Sequence, residues 1–217
     1  MERHLRHAYA YEKNEYDPDG RPYNNGTMSM KNMLTMETWD FVTIQQASPL
    51  SSVLESYFPH TGELMAYIKK YAPQAQIIVH QTWAYRDDHG FWGDTSMNTD
   101  IMYARLRNAY DSICKKYLLD FIPSGDAFQT ARLSPDWGNG RDVFSESENE
   151  NRSLYCQDGF HASKSGCYLL GCVWYNFFFP EDAKPIVFIP EDITNRDAKI
   201  LQKTAIDVVK NKQRPNL

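Results

Sequence analysis

Three short β-favouring segments alternate with segments of helical periodicity, and this alternation constrains the fold more than any other feature of the sequence. The β-favouring segments, rich in branched and aromatic residues, are 39–44, 76–79 and 118–122. The segments between them repeat apolar residues at the spacing of a helix face: Leu64, Ile68 and Tyr71 in the first, and Met102, Leu106, Ala109, Ile113 and Tyr117 in the second. Because strands joined through helices run in one direction, this order predicts an α/β fold with a parallel sheet.

Each predicted strand leads into polar residues. Gln45 and Gln46 follow the first strand, His80 ends the second, and Ser124 follows the third. In open parallel sheets, ligands bind beyond the carboxyl ends of the strands. We therefore predict that these side chains converge on one rim, where they line a binding site.

Length and composition indicate a single globular domain over residues 1–217, because 42% hydrophobic residues suffice for a sizeable core. The net charge of -5 is mild, and no basic run is long enough to follow a phosphate backbone, so nucleic acid is not an expected partner. The longest apolar stretch, 168–179, is too short to cross a bilayer. No hydrophobic segment follows Met1, so no export signal is visible, and the compartment stays unknown.

Asp158 and His161 form the most suggestive chemical pair. An aspartate three residues before a histidine can bind the imidazole Nδ1, which leaves Nε2 free to take a proton. Gly159 permits a tight turn, and Ser163 can cap a helix whose apolar face follows. His161 is therefore a candidate general base. The alternative is a capping aspartate beside a surface histidine.

Neither a metal nor another cofactor is expected. The four cysteines, Cys114, Cys156, Cys167 and Cys172, show no spacing that suits zinc. His4 and His7 are spaced for one helix face, but no third ligand of clear geometry follows them.

Two further elements are predicted at the ends of the chain. Tyrosines on both sides of Pro18-Asp19-Gly20 indicate a short hairpin. Thr194-Asn195-Arg196-Asp197 is typical of the start of a capped helix. The polar segment 141–153 is predicted to be a surface loop.

Four blocks in order resemble a branch of the SGNH/GDSL hydrolase superfamily that is usually labelled a domain of unknown function. They are Trp39-Asp40-Phe41-Val42-Thr43-Ile44-Gln45-Gln46, His80-Gln81-Thr82-Trp83-Ala84-Tyr85, Ile122-Pro123-Ser124-Gly125-Asp126-Ala127-Phe128-Gln129 and Asp158-Gly159-Phe160-His161. The resemblance implies a three-layer, flavodoxin-like sandwich with a five-stranded parallel sheet. It also implies a serine esterase in which Asp158 and His161 are catalytic.

The nucleophile block of that branch is not found in this sequence. Its Gly-Asn-Ser-Phe block follows the first strand, and a glycine after the second strand helps to form the oxyanion hole. Met1-Glu2-Arg3-His4 resembles the residues just after that glycine block. The resemblance therefore implies that the first strands, the nucleophilic serine and the glycine lie upstream of Met1, and that the domain is truncated at its N-terminus.

The resemblance also suggests what surrounds the reaction. Gln45 or Gln46 would donate to the oxyanion, with Gln45 preferred because Gln46 can point to the other face of the strand. His80 and Trp83 are weaker candidates for contact with the substrate, and a structural role accounts for either equally well.

Two function classes follow from these expectations. The first is an esterase that acts on a small-molecule or carbohydrate ester, with carbohydrate deacetylation as one such activity. The second is a noncatalytic protein that binds a ligand in the same pocket. Ser124 and Ser163 are the nearest serines that could replace the missing nucleophile, but neither lies in a recognisable nucleophile turn.

Overall fold

Strands and helices alternate along the part of the chain that the computed structural model describes, which is residues 11–16, 22–90, 97–138, 152–180 and 185–212, with backbone alone for 11–16 and 22–27. The strands are β1 (Tyr11–Tyr16), β2 (Pro22–Met28), β3 (Phe41–Ile44), β4 (Gln76–His80) and β5 (Asp120–Ile122). The helices are α1 (Met30–Thr35), α2 (His60–Tyr71), α3 (Thr99–Tyr117), α4 (Ser124–Leu133), α5 (Lys164–Phe178) and α6 (Asn195–Asn211), with short 3-10 turns at Ser48–Leu50 and Leu54–Tyr57.

The central sheet is parallel and has β4 in the middle, between β3 and β5. Val79 of β4 is in register with Ile44 of β3 on one side and with Phe121 of β5 on the other. The three strands therefore end at nearly the same level. The parallel sheet predicted from the sequence is confirmed, and its described part has three strands rather than the five that the resemblance implies.

Helices cover both faces of this sheet. In β4, Ile77 and Val79 pack into a core formed with α2 and α3, whereas Ile78 faces a second core formed with α4, α5 and α6. The alternation follows from the pleat, which turns successive side chains to opposite faces. A parallel sheet buried on both faces requires this apolar run, so β4 reads as a continuous hydrophobic segment.

The outer edge of β3 is less well covered. Within the described residues, no strand pairs with this edge. Trp39 is 38% exposed and Phe41 is 45% exposed, although the Phe41 ring touches Phe178 with 4.9 Å between the ring centres. An apolar groove runs beside the strand, between β3 and helices α1 and α2.

Several local predictions are confirmed. The hairpin is present as the antiparallel pair β1 and β2, although its turn lies outside the described residues. Thr194 caps α6 by accepting the Asp197 N–H at 3.1 Å. Helix α4, which begins at Ser124, was not predicted. The residues around its start, Pro123-Ser124-Gly125-Asp126, have turn-like composition, which conceals the helix in the sequence.

None of the described helices has the length and apolar character needed to cross a membrane.

Candidate active site

Residues 158–161, named here the Asp-His turn, hold an aspartate and a histidine in direct contact. Asp158 Oδ2 lies 2.7 Å from His161 Nδ1. Asp158 Oδ1 accepts the backbone N–H groups of Phe160 at 3.1 Å and His161 at 3.0 Å. Because an ionised carboxylate can only accept, Nδ1 carries the proton and Nε2 presents a lone pair. Among the described residues, Nε2 has no hydrogen-bond partner, and the side chain is 68% exposed.

The same hydrogen bonds set the charge of Asp158. Slight burial raises the pKa of the carboxyl, but the hydrogen bonds from the His161 ring and from the N–H groups of His161 and Phe160 outweigh it. The pKa of Asp158 therefore lies below its ordinary value. The carboxylate is ionised at neutral pH, as it must be to orient an imidazole and to stabilise an imidazolium.

Local sequence explains why the turn forms. Gly159 has a φ of 76°, in the left-handed region that favours glycine. Just beyond the turn, Ala162 forms an antiparallel bridge with Tyr155. Ser163 then caps α5, with its Oγ 3.1 Å from the backbone nitrogen of Gly166. The turn is thus fixed between a bridge and a helix start.

Trp83 supports the turn from the segment after β4. Its indole N–H donates to the carbonyl oxygen of Phe160 at 2.9 Å. Its ring stacks on Phe128, with 4.6 Å between the centres and an angle of 15°. The polar group and one face of Trp83 are therefore engaged within the protein. Contact of this residue with a substrate stays a prediction.

Arg86 holds the same turn through its backbone and its side chain. Its N–H donates to Gly159 O at 2.8 Å, and its guanidinium donates to the carbonyl oxygens of Cys156 and Gln157, both at 3.0 Å. Arg86 is only 3% exposed. The sequence analysis missed this residue. The available signal was a lone arginine in an aromatic segment, since a buried arginine needs defined partners.

A second cluster lies at the strand ends. His80 Nδ1 is 2.7 Å from Gln45 Oε1, and His80 Nε2 is 3.0 Å from Ser124 Oγ. The predicted convergence of the three strand ends is therefore confirmed for these residues. An amide oxygen can only accept, so Nδ1 carries the proton and Ser124 donates to Nε2. In this arrangement the amide NH₂ of the exposed Gln45 stays available, with no partner among the described residues.

His80 is kept neutral by its surroundings. Burial lowers the pKa of His80 from 6.5 to about 4. Its ring also meets Trp174 of α5 edge-on, with 5.2 Å between the ring centres. A neutral ring preserves the hydrogen-bond directions that orient Gln45, because a cation would donate from both nitrogens.

Gln46 has a different environment. It is 2% exposed, and its Nε2 donates to the carbonyl oxygen and the hydroxyl of Ser56, both at 3.0 Å. Its Oε1 accepts the N–H of Ala47 at 3.0 Å. The strand pleat turns Gln46 inward and Gln45 outward. Of the two candidate amides, only that of Gln45 can face a reactant, because Gln46 is buried and its amide is hydrogen-bonded within the protein.

The two serines considered as replacement nucleophiles are both engaged elsewhere. Ser124 is fully buried against His80. Ser163 caps α5 and donates to the Ser153 carbonyl oxygen. Neither forms a hydrogen bond with His161 in the described part of the chain.

An interlock between two of the sequence blocks was also missed. The Gln81 amide binds Asp126 twice, donating to Oδ1 and accepting the backbone N–H, both at 2.9 Å. A Cβ on Gly125 would lie 2.2 Å from the Thr82 carbonyl oxygen, so only glycine fits there. These contacts join the start of α4 to the segment after β4 and hold Ser124 beside His80.

The candidate residues therefore form two groups. Asp158 and His161 form one, and Gln45 and His80 form the other; within the described ranges no hydrogen bond joins them. His4 and His7 lie outside the described residues, as does most of the polar segment 141–153.

Comparison with known proteins gives a family match. A family model described as a domain of unknown function, DUF4886, matches residues 2–208. A crystal structure of a DUF4886 family protein from Bacteroides uniformis is similar over 96% of this chain and 77% of its own, with 27% identity and a TM-score of 0.78.

A second solved structure is more distant. This protein from Slackia heliotrinireducens, provisionally assigned as an SGNH hydrolase, is similar over 66% of this chain and 68% of its own. The identity is 22% and the TM-score 0.49, too low to inform function. No curated protein matches the chain.

Proposed function

This chain belongs to the DUF4886 family, and we propose that its Asp-His turn is the acid–base half of a serine hydrolase that cleaves ester bonds. The observation that carries the proposal is the 2.7 Å contact between Asp158 Oδ2 and His161 Nδ1 on an exposed turn, where Nε2 has no hydrogen-bond partner among the described residues. Residue order supports it, because the four blocks resemble the SGNH/GDSL superfamily. The substrate class proposed is a small-molecule or carbohydrate ester.

In the proposed reaction, a serine hydroxyl attacks the ester carbonyl while His161 Nε2 takes its proton. His161 then returns the proton to the departing alcohol, and water releases the acid by the same steps. Asp158 orients the ring and stabilises its positive charge. The resemblance implies that the attacking serine belongs to a segment upstream of Met1, and this origin is part of the proposal.

Gln45 is proposed to stabilise the oxyanion. Its amide oxygen is held by His80, so the NH₂ group is directed away from His80 and can donate. A preorganised donor of this kind lowers the barrier by about 3 kcal/mol. His80 and Ser124 would then act as positioning residues for Gln45.

The fold proposed is an SGNH-like, flavodoxin-like domain that spans residues 1–217. Its further strands would lie beside β3, where Trp39 and Phe41 are partly exposed. Exposed strand edges present unpaired N–H and C=O groups and are usually paired or protected, which supports a partner strand at this edge.

Hydrolysis of an acetyl ester by a chain extended upstream of Met1 to include the proposed serine tests the proposal. We expect Asp158→Asn to lower kcat by about 10⁴-fold, because the imidazole loses its orienting charge. His161→Ala should be at least as damaging. His60→Ala, which alters a histidine at the start of α2, is the matched control and should leave the rate unchanged. Full activity in His161→Ala would refute the proposed base.

A noncatalytic binding role is the second candidate, favoured by the engagement of Ser124 and Ser163 in structural hydrogen bonds. Treatment with a fluorophosphonate separates the two functions when it is applied both to this chain and to a chain extended upstream of Met1. An adduct on one serine that is absent in His161→Ala would exclude binding alone. Absence of an adduct on both chains would favour binding.

A further inference from the structure

Two of the four cysteines are exposed and flank the Asp-His turn. Cys156 lies just before the turn, and Cys167 lies in the first part of α5. Cys114 and Cys172 are buried, at 3% and 1% exposure. Reagents in solution can therefore reach the exposed pair of cysteines, whereas the buried pair is protected from them.

The exposed thiols meet at one backbone atom. Cys156 Sγ is 3.3 Å from the Ala162 carbonyl oxygen, and Cys167 Sγ is 3.7 Å from the same oxygen. Two sulfur atoms that contact one oxygen are near neighbours. Their backbones are also fixed: the Cys156 N–H donates to His161 O at 2.8 Å, and the Cys167 N–H donates to Ser163 O at 2.7 Å.

We propose that Cys156 and Cys167 form a redox-responsive dithiol that closes to a disulfide across the base of the Asp-His turn. The geometric requirement of a disulfide is close approach of the two side chains. Convergence on one acceptor in the reduced state brings the sulfur atoms together before oxidation. The reaction needs a disulfide oxidant, and a low-molecular-weight disulfide such as oxidised glutathione supplies it.

Oxidation proceeds by two exchanges. The Cys156 thiolate attacks the small disulfide, forming a mixed disulfide and releasing one small thiol. The Cys167 thiolate then attacks the Cys156 sulfur and displaces the second small thiol. Two protein thiols are oxidised and one small disulfide is reduced to two thiols. Burial and the neighbouring Cys156 thiol raise the pKa of Cys167, which disfavours its thiolate, so the first attack is assigned to the exposed Cys156.

The bond would enclose Asp158 and His161 between two covalently joined ends. Control of the proposed base by oxidation rests on the proposed function, whereas formation of the bond does not. A test of the bond itself therefore succeeds or fails independently of ester hydrolysis.

The test is peptide mass spectrometry of the folded, reduced chain after treatment with oxidised glutathione and alkylation of the remaining thiols. We expect a linked pair of peptides containing Cys156 and Cys167, with alkylation of Cys114 and Cys172 only after unfolding. Stable glutathione adducts on both exposed cysteines, a link to a buried cysteine, or a link between two chains would overturn the proposal.

Variants trap the intermediate. Cys167→Ser should accumulate glutathione on Cys156, because the second exchange is lost. Cys172→Ala, which alters a buried cysteine on the same helix, should still form the link.

Phenylarsine oxide gives a measurement that needs no oxidation, since it binds two neighbouring thiols with release of water. It should bind the reduced chain and Cys172→Ala, and loss of binding in Cys167→Ser is required.

Discussion

Acidification should destabilise this protein through one imidazole, that of His80. Burial lowers the pKa of His80 from 6.5 to about 4. Between these values the unfolded chain binds a proton that the folded chain does not, so the free energy of unfolding falls as the pH falls. The contribution is fully present above about pH 6.5 and is lost by about pH 4. At about 1.4 kcal/mol per pKa unit, the loss is about 3 kcal/mol.

The neighbours of His80 allow its contribution to stability to be distinguished from that of other titrating groups. Gln45, Ser124 and Trp174 contact the ring, and none of them titrates in this range. Urea unfolding of the natural chain and of His80→Gln, measured from neutral pH to about pH 4, isolates the contribution. The variant should be less stable at neutral pH, because the glutamine fills the ring's space poorly.

The difference in unfolding free energy between the two proteins should shrink by about 3 kcal/mol on acidification. Other titrating groups, including Asp158, affect both proteins and cancel in this difference. Parallel loss of stability in the two proteins would refute the reasoning. So would an NMR titration of the His80 ring in the folded chain with a midpoint near pH 6.5.

Urea unfolding also tests three residues that stabilise the Asp-His turn. Gly159→Ala should cost about 1–2 kcal/mol because of its left-handed backbone, whereas Gly171→Ala, where a Cβ meets open space, should not destabilise; equal effects would contradict the backbone argument. Trp83→Phe keeps an aromatic ring but leaves the Phe160 carbonyl oxygen without its donor, so the free energy of unfolding should fall by about 1 kcal/mol. Unchanged stability would show that this hydrogen bond does not stabilise the protein. Arg86→Met removes an ion pair with Asp88 and two charge-assisted hydrogen bonds to carbonyl oxygens, and should cost at least about 3 kcal/mol. The exposed Arg105→Met should cost less than about 0.5 kcal/mol, and similar losses in the two variants would exclude a specific role for Arg86.

Much of the fold could be predicted from local pattern. Leu64 and Ile68 on α2, and Leu106 and Ile113 on α3, are buried as their spacing predicts. Periodicity reveals these helices because one face of each must leave water. The meeting of Gln45, His80 and Ser124 also followed from the order of elements, since parallel strands present their carboxyl ends to one edge.

Other features carry no local signal. Helix α4 starts with residues that favour turns, and at its first turn the Gln81 amide binds Asp126 through two hydrogen bonds. Trp83 was open to more than one interpretation and Arg86 was missed, because the turn that they hold lies more than seventy positions away in the sequence. The sequence could not distinguish the roles of Gln45 and Gln46. Only the structure shows that the strand pleat buries Gln46.

The sequence by itself determined the helix faces and the Asp158–His161 pair, because these depend on residues near one another in the chain. It also determined the parallel direction of the strands, because strands joined through helices run the same way. Only the tertiary structure decided which glutamine faces outward, what orients it, and what fixes the Asp-His turn. Those outcomes depend on buried polar groups finding partners from distant segments. Such partners are chosen by how the layers pack, and packing is a property of the whole fold.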